Sequence, residues 1–132
     1  MAFQESVAVR NAKLDQIETT IGTSAVLKIF SGAVPANCAA ADPAGTLVSM
    51  TLPSDWMAAA SSASKAKSGT WSATASGTGT AASFRIYDSG GTVCGIQGTC
   101  GLGSGDLQLD NTSIASGQTV TVNTFTLNAA NT

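Results

Sequence analysis

Histidine is absent from the 132-residue sequence. Histidine is the usual general base of enzymes and the commonest ligand of transition metals, and it activates serine and cysteine nucleophiles. Three aspartates, Asp88, Asp106 and Asp110, lie in or near predicted turns and are the remaining candidates for acid and base chemistry or for calcium binding. Aspartate at such positions more commonly caps a turn. We therefore expect no enzymatic activity, no cofactor and no metal site.

Charged residues are also scarce, at 11% of the chain, and the formal net charge is −2. Soluble domains usually carry about 25% charged residues. The six basic residues offer no positive surface to a phosphate backbone, so we expect no nucleic-acid partner. No run of about 18 apolar residues is present, so we expect no membrane partner. The polar N-terminus is unlike a signal peptide, and export by that route is not expected.

The sequence has only three cysteines, Cys38, Cys94 and Cys100. Without a sign of an oxidising compartment, small buried thiols are the expected state. Cys94 and Cys100 are close enough in sequence to close a short loop, and they are a candidate disulfide worth roughly 2 to 3 kcal/mol if the geometry allows. Cys38 would then be free or paired between subunits.

Small residues are abundant, since Ala, Ser, Thr and Gly make up more than half of the chain. A chain of this length can bury roughly two thirds of its unfolded surface, but few large apolar residues are available for the core. A surface of small, uncharged side chains loses little side-chain entropy when it is covered, which suits packing against other protein subunits. The same composition is also typical of an all-β domain with many turns.

An apolar stripe with spacings of three, four and seven residues marks the N-terminal segment. It is formed by Phe3, Val7, Leu14, Ile17 and Ile21. These spacings predict a helix from Ser6 to Ile21, and Gly22 is suited to end it. The stripe packs either on the chain's own β domain or on a neighbouring subunit, so its five residues are candidate subunit contacts. The predicted organisation is a helical arm, residues 1–22, and a β domain, residues 23–132.

Beyond the helix, apolar and polar residues alternate, which is typical of strands. Strands are predicted at residues 25–30, 47–52, 82–87, 93–96, 107–109 and 120–127. Residues 88–91 supply a turn that joins the third and fourth of these strands into a hairpin. The apolar set changes phase between Val122 and Phe125, so a bulge is predicted near residues 123–124 to keep one face buried.

Four other segments are less regular. Residues 32–45 contain turn residues without a period, which predicts a long loop. A short helix is predicted to begin with a cap at residues 54–55. An exposed or edge strand is expected at residues 69–75, where Trp71 is the only large side chain. The glycine-rich residues 98–105 lack the remaining features of a phosphate-binding motif and predict a flexible turn.

Six or seven short strands behind one helix predict a mainly β fold, either a β-sandwich or a partly closed barrel with one N-terminal α-helix. Carbohydrate-binding modules are a functional class of such domains, in which aromatic rings stack on sugars. Trp56, Trp71 and Tyr87 are the candidates for that role. Three scattered aromatic residues are more commonly part of a core.

Five segments resemble small virion proteins encoded by tailed phages and prophages. They are VRNAKLDQIETTIGT (9–23), PANCAAAD (35–42), LPSDWM (52–57), FRIYD (84–88) and LDNTSI (109–114). The segments occur in the same order and extend over most of the chain. They carry no chemical mechanism, so the resemblance points to a family and not to a reaction.

The resemblance implies a virion component, and a capsid decoration or cement protein is the first expectation. Its partners would be the major capsid protein or other virion subunits, and it would be present as a homo-oligomer in a particle assembled in the host cytoplasm. A tail tube or tail-tip subunit is the alternative within the same family, and a carbohydrate-binding β module is the alternative outside it.

Overall fold

The structure, a computed structural model, describes residues 3–129 and contains one helix and ten strands over that range. The helix is α1 (Val7–Ile21). The strands are β1 (Val26–Phe30), β2 (Thr46–Thr51), β3 (Ser64–Ala66), β4 (Ser72–Thr74), β5 (Gly79–Thr80), β6 (Ser83–Tyr87), β7 (Cys94–Gly101), β8 (Leu107–Leu109), β9 (Ser113–Ile114) and β10 (Thr119–Asn128).

Helix α1 begins and ends where the sequence predicts. The Ser6 hydroxyl accepts a hydrogen bond from the Val9 amide at 3.2 Å, which satisfies a donor that a helix N-terminus leaves unpaired. Gly22 ends the helix with φ of 98°, a backbone conformation that favours glycine. The helix lies against β3 and β7. The division into an arm, 1–22, and a β domain, 23–132, stays a prediction.

Eight strands form one curled sheet with the order β2-β1-β6-β7-β8-β10-β3, and β4 pairs with β10 beside this path. Strands β5 and β9 form a separate small sheet. The curled sheet is a half-barrel, which confirms the mainly β fold with one N-terminal helix. The strands exceed the predicted six or seven because β3, β5 and β9 are too short to show an apolar alternation.

The hairpin and the bulge are both confirmed. Strands β6 and β7 pair antiparallel across the turn at residues 88–91. In β10 the register with β8 shifts between Val122 and Thr124. The extra residue, Asn123, lets Val122 and Phe125 both face the core, where they are 1% and 2% exposed. A regular strand would have turned one of these two side chains outward.

The three aspartates considered above accept hydrogen bonds from backbone amides. Asp88 accepts from two amides of the β6–β7 turn, at 3.1 and 3.2 Å, and these bonds lower the pKa of its carboxyl group. Asp106 accepts from the Thr99 amide of β7 at 3.0 Å, and Asp110 accepts from the Thr121 amide of β10 at 3.2 Å. Their contacts are therefore those of residues that hold turns and strand ends in place.

Strands β7 and β8 pair in parallel although only residues 102–106 connect them. Parallel neighbours normally need a longer crossover. Glycines make the short reversal feasible: Gly105 has φ of 82°, and a β-carbon on Gly101 would lie 2.1 Å from the Ser104 carbonyl oxygen. The predicted flexible turn over residues 98–105 is therefore wrong for its first half, which belongs to β7.

Four aromatic rings form the centre of the core. Trp56, Trp71, Phe125 and Phe84 follow one another with centroid distances of 6.0, 5.6 and 5.5 Å. None of the four is more than 2% exposed. The edge strand expected at residues 69–75 is present as β4, which among the described strands pairs with β10 alone. Trp71 itself is buried, because its ring enters the core just before β4 begins.

The helix predicted to begin at residues 54–55 is not formed in the described chain. Trp56 is instead held by its indole N–H, which donates to the Gly22 carbonyl at 2.9 Å. Met57 forms an isolated β-bridge with Lys67. These long-range contacts hold the segment extended and outweigh the weak helical tendency of the alanines that follow.

Candidate functional site

The apolar stripe of α1 is divided into a buried part and an exposed part. Leu14 and Ile21 are only 3% and 9% exposed, and Ile17 packs against the core beside them. Phe3 and Val7 remain 62% and 49% exposed. Leu14 and Ile21 are therefore core residues of this chain, which corrects their assignment as subunit contacts. Phe3 and Val7 keep the free surface that such a contact needs.

Three exposed apolar side chains stand at the beginning of α1: Phe3, Val7 and Val9, the last 48% exposed. We call these three residues the apolar tip. Exposed apolar side chains concentrated in one short segment, on a protein that is otherwise small and polar at its surface, are typical of an interaction site. The other large apolar side chains exposed in the described chain, Val93 and Leu102, belong to separate turns.

A buried lysine fixes α1 to the sheet. Lys65 on β3 is 2% exposed, and its ammonium nitrogen lies 2.8 Å from Asp15 Oδ1 and 3.0 Å from Glu18 Oε1. It also donates to the Ala58 carbonyl at 2.9 Å. A buried charge is costly unless it is paired. Two carboxylates of α1 and one carbonyl satisfy the three donors of this ammonium group.

The pKa values of this group follow from the same contacts. Burial acts to lower the pKa of Lys65, but its hydrogen bonds to Asp15 and Glu18 outweigh burial and raise that pKa above its ordinary value. The hydrogen bond from Lys65, followed by that from the Ala60 amide, lowers the pKa of Asp15. Lys65 is therefore protonated and Asp15 ionised across the neutral range, as the ion pair requires.

The chain from residue 57 to residue 63 runs along the polar side of α1. Three side chains of the helix each accept a hydrogen bond from an amide of this segment. The pairs, with their N···O distances, are Asn11 with Ala63 (2.8 Å), Asp15 with Ala60 (2.9 Å) and Glu18 with Met57 (3.1 Å). Sequence reasoning missed these contacts. The sequence does contain a signal for them: Asn11, Asp15 and Glu18 form a second, polar stripe on the helix with spacings of four and three residues.

Two hollows flank Ile96 on β7. The first, about 240 Å³, lies between the last turns of α1 and β7 and is lined by Lys13, Gln16, Ile17, Thr20, Ile21, Gly95 and Ile96. The second, about 360 Å³, lies between β7 and the end of β10 and is lined by Phe84, Ile96, Gln97, Asp106, Phe125, Thr126, Leu127 and Asn128.

Gly95 is required for the close packing of α1 on β7. A β-carbon at this position would lie 2.4 Å from Ile21 Cγ1. We expect Gly95→Ala to displace the end of the helix and to lower the free energy of unfolding by about 1 to 3 kcal/mol. The measurement is urea unfolding beside Gly90→Ala, where the nearest atom to a new β-carbon is 3.7 Å away. Equal stabilities of the two variants would contradict this contact.

A buried arginine holds the long loop between β1 and β2 on the sheet. Arg85 on β6 is 2% exposed. Its Nη1 donates to Asp42 Oδ1 at 3.0 Å and to the Ala40 carbonyl at 2.9 Å, and its Nη2 donates to the Asn37 carbonyl at 3.0 Å. Its Nε donates to Gln97 Oε1 at 3.1 Å. Four of the five N–H donors of the guanidinium group are thus bonded within the chain, which satisfies most of this buried charge.

The predicted disulfide between Cys94 and Cys100 is wrong. Both residues lie on β7, and both thiols are free. Six positions of extended strand separate them by about 20 Å, whereas the Cα atoms of a disulfide lie within about 7 Å of each other. Burial raises the pKa of each thiol to about 12, so both stay protonated near neutral pH.

The aromatic residues considered for sugar stacking are all buried. Trp56, Trp71 and Tyr87 are 0%, 1% and 2% exposed. A sugar ring needs an open aromatic face, and none of these three provides one. The more common interpretation, that scattered aromatic residues form a core, applies to this chain.

Groups of acidic residues or cysteines arranged to hold a metal ion do not occur among the described residues. Over the same part of the chain, α1 is neither long nor apolar enough to cross a membrane. Comparison of the chain with protein-family models, with curated proteins and with solved structures found no match.

Proposed function

We propose that this protein is a virion structural protein that decorates and stabilises a phage capsid by bridging neighbouring capsid subunits. The observation that carries the proposal is the apolar tip, Phe3, Val7 and Val9. It lies at the N-terminal end of α1, whose C-terminal end is buried at Ile21. A neighbouring subunit with an apolar depression is the partner that this surface fits.

The attachment of α1 supports a bridging role. Lys65 joins the helix to β3 through Asp15 and Glu18, and Trp56 joins the end of the helix to the core through the Gly22 carbonyl. A tip held on such a helix transmits force to the half-barrel, whereas a flexible arm would pay conformational entropy on binding. The low charge of the chain and the resemblance to small phage virion proteins agree with the same role.

The test uses capsids that lack this protein and compares the temperature at which they release DNA before and after purified protein is added. We expect the release temperature to rise with the concentration of bound protein, since binding to the assembled state alone stabilises it by mass action. Binding should depend weakly on salt, because few ion pairs would be screened. An unchanged release temperature despite demonstrated binding would eliminate the cement role.

A matched pair of variants tests the apolar tip itself. The double change Phe3→Ser and Val7→Ser should weaken capsid binding roughly tenfold to 100-fold, given the value of covering large apolar side chains. The control is Val93→Ser with Leu102→Ser, two side chains that are 64% and 62% exposed elsewhere on the surface. If the control loses as much affinity as the tip variant, the contact lies elsewhere.

A tail tube or tail-tip subunit remains the alternative structural role. Such a subunit assembles with copies of itself, whereas a decoration protein needs the capsid lattice. Electron microscopy of the purified protein separates the two roles: isolated particles of uniform small size agree with decoration, and rings or tubes formed by the chain alone would favour the tail.

A further inference from the structure

The loop between β1 and β2 holds Cys38 in a fixed position. Arg85 donates to the carbonyls of Asn37 and Ala40, on either side of this cysteine, at 3.0 and 2.9 Å. The Asn37 side chain also accepts from the amides of Ala39 and Ala40, at 2.9 and 3.0 Å, and closes a turn around it. Residue 38 is therefore restrained against the sheet.

Cys94, at the start of β7, lies beneath this loop. It is paired in the β6–β7 ladder with Tyr87, and the Tyr87 hydroxyl donates to Asp42 in the same loop. Cys94 therefore lies on the face of the hairpin that this loop covers, and its thiol donates to the Ile96 carbonyl at 3.5 Å. Burial, followed by the nearby Cys38 side chain, raises the pKa of Cys94. Both residues are half-buried, so a small reagent can reach them from solvent.

We propose that Cys38 and Cys94 form a disulfide in an oxidising environment and that this bond fastens the β1–β2 loop to the β6–β7 hairpin. Arg85 and Tyr87 hold the loop that carries Cys38 over the part of the hairpin where Cys94 pairs with Tyr87, so the bond requires the two sulfur atoms to approach to about 2.05 Å. Cys100 is excluded as a partner of Cys94 by its distance of about 20 Å along β7. The proposal does not depend on the capsid role.

The oxidant is a small-molecule disulfide of the glutathione type. One protein thiol loses its proton, attacks this disulfide, forms a mixed disulfide and releases one glutathione. The second protein thiol then loses its proton, attacks the mixed disulfide and releases another glutathione. Two protein S–H bonds are replaced by one S–S bond. The two electrons and two protons end on two molecules of reduced glutathione.

The experiment incubates the folded full-length protein with oxidised glutathione, blocks the remaining thiols and maps tryptic peptides without reduction. Trypsin does not separate Cys94 from Cys100, because no Lys or Arg lies between them. The variant Cys100→Ser removes this ambiguity. We expect it to give a link from Cys38 to Cys94 and a melting temperature raised by roughly 10 °C, because the bond closes a long loop.

The variants Cys38→Ser and Cys94→Ser serve as controls and should show neither the link nor the rise in melting temperature. Intact mass should show the loss of two hydrogen atoms in the oxidised protein, in contrast to the gain expected from a glutathione adduct. Adducts as the sole product, or a link that forms only after unfolding in denaturant, would overturn the proposal.

Discussion

Replacing Phe125 with alanine is expected to lower the free energy of unfolding by about 3 to 5 kcal/mol, the range for truncating a buried aromatic side chain. Phe125 is 2% exposed. Its ring centroid lies 5.6 Å from that of Trp71 and 5.5 Å from that of Phe84, the latter in an edge-on arrangement. Truncation therefore removes two aromatic contacts and leaves a cavity at the centre of the core.

Urea unfolding followed by circular dichroism measures this loss. Thr126→Ala is the control on the same strand, because Thr126 is the adjacent residue and is exposed. Its effect should stay within about 0.5 kcal/mol, as for most surface substitutions. Equal midpoints for the two variants would mean that the bulge does not return Phe125 to the core, and the register of β10 after Asn123 would be wrong.

The double change Asp15→Asn with Glu18→Gln is expected to cost about 3 kcal/mol at neutral pH. It leaves the Lys65 ammonium group buried without a carboxylate, and an unpaired buried charge is strongly destabilising. We place the cost at the lower end of the usual range because the Asp15 side chain is itself 47% exposed. The measurement is urea unfolding at pH 7.

The pH dependence gives this prediction a specific signature. In the unchanged protein the pKa of Lys65 is raised from 10.5, so its stabilisation is present below that pH and is lost as the pH rises through the folded-state pKa. In the double variant, burial still disfavours the charged form of Lys65, but no carboxylate stabilises it. The pKa of Lys65 in the folded protein should therefore fall below its unfolded value. The unfolded variant then binds more protons than the folded one, so its stability should rise with pH in the alkaline range.

In the unchanged protein, the titration of Asp15 contributes to the dependence of stability on pH in the acidic range. Its pKa is lowered from 3.8, so its stabilisation is present above that pH and is lost as the pH falls through the folded-state pKa. The control for the double variant is Lys13→Gln, because the Lys13 side chain is 62% exposed in its ion pair with Glu5. This change should alter stability by less than about 1 kcal/mol. A double variant with the pH profile of the unchanged protein would contradict the role of Lys65.

The parts of the fold that the sequence predicted are those with a strong local pattern. Val122 and Phe125 can face the core from one strand only if the strand contains an extra residue between them, so the position of the bulge could be predicted from the sequence. The bounds of α1 at Ser6 and Gly22 could likewise be predicted, because they follow from local backbone chemistry. In these places short-range preference and tertiary packing agree.

The missed parts depend on partners that are distant in sequence. Trp71 lies among small polar residues in the sequence, and its packing between Trp56 and Phe125 places it in the core. A surface position is the usual expectation for Lys65, because lysine is rarely buried without partners. The carboxylates that make its burial feasible are 50 and 47 positions away on α1, and no local period relates them.

The pairing of β10 determines when this protein can finish folding during its synthesis. That strand pairs with β3, β4 and β8 and brings Val120, Val122 and Phe125 into the core. The N-terminal part of a nascent chain is synthesised first, so β3, β4 and β8 remain unpaired with β10 until that strand has been made. Unpaired strand edges expose N–H and C=O groups that can pair with other chains. Translation that stops before residue 119 would therefore leave a fragment with unpaired strand edges that is prone to aggregate. Synthesis of residues 119–128 supplies β10 and completes the half-barrel.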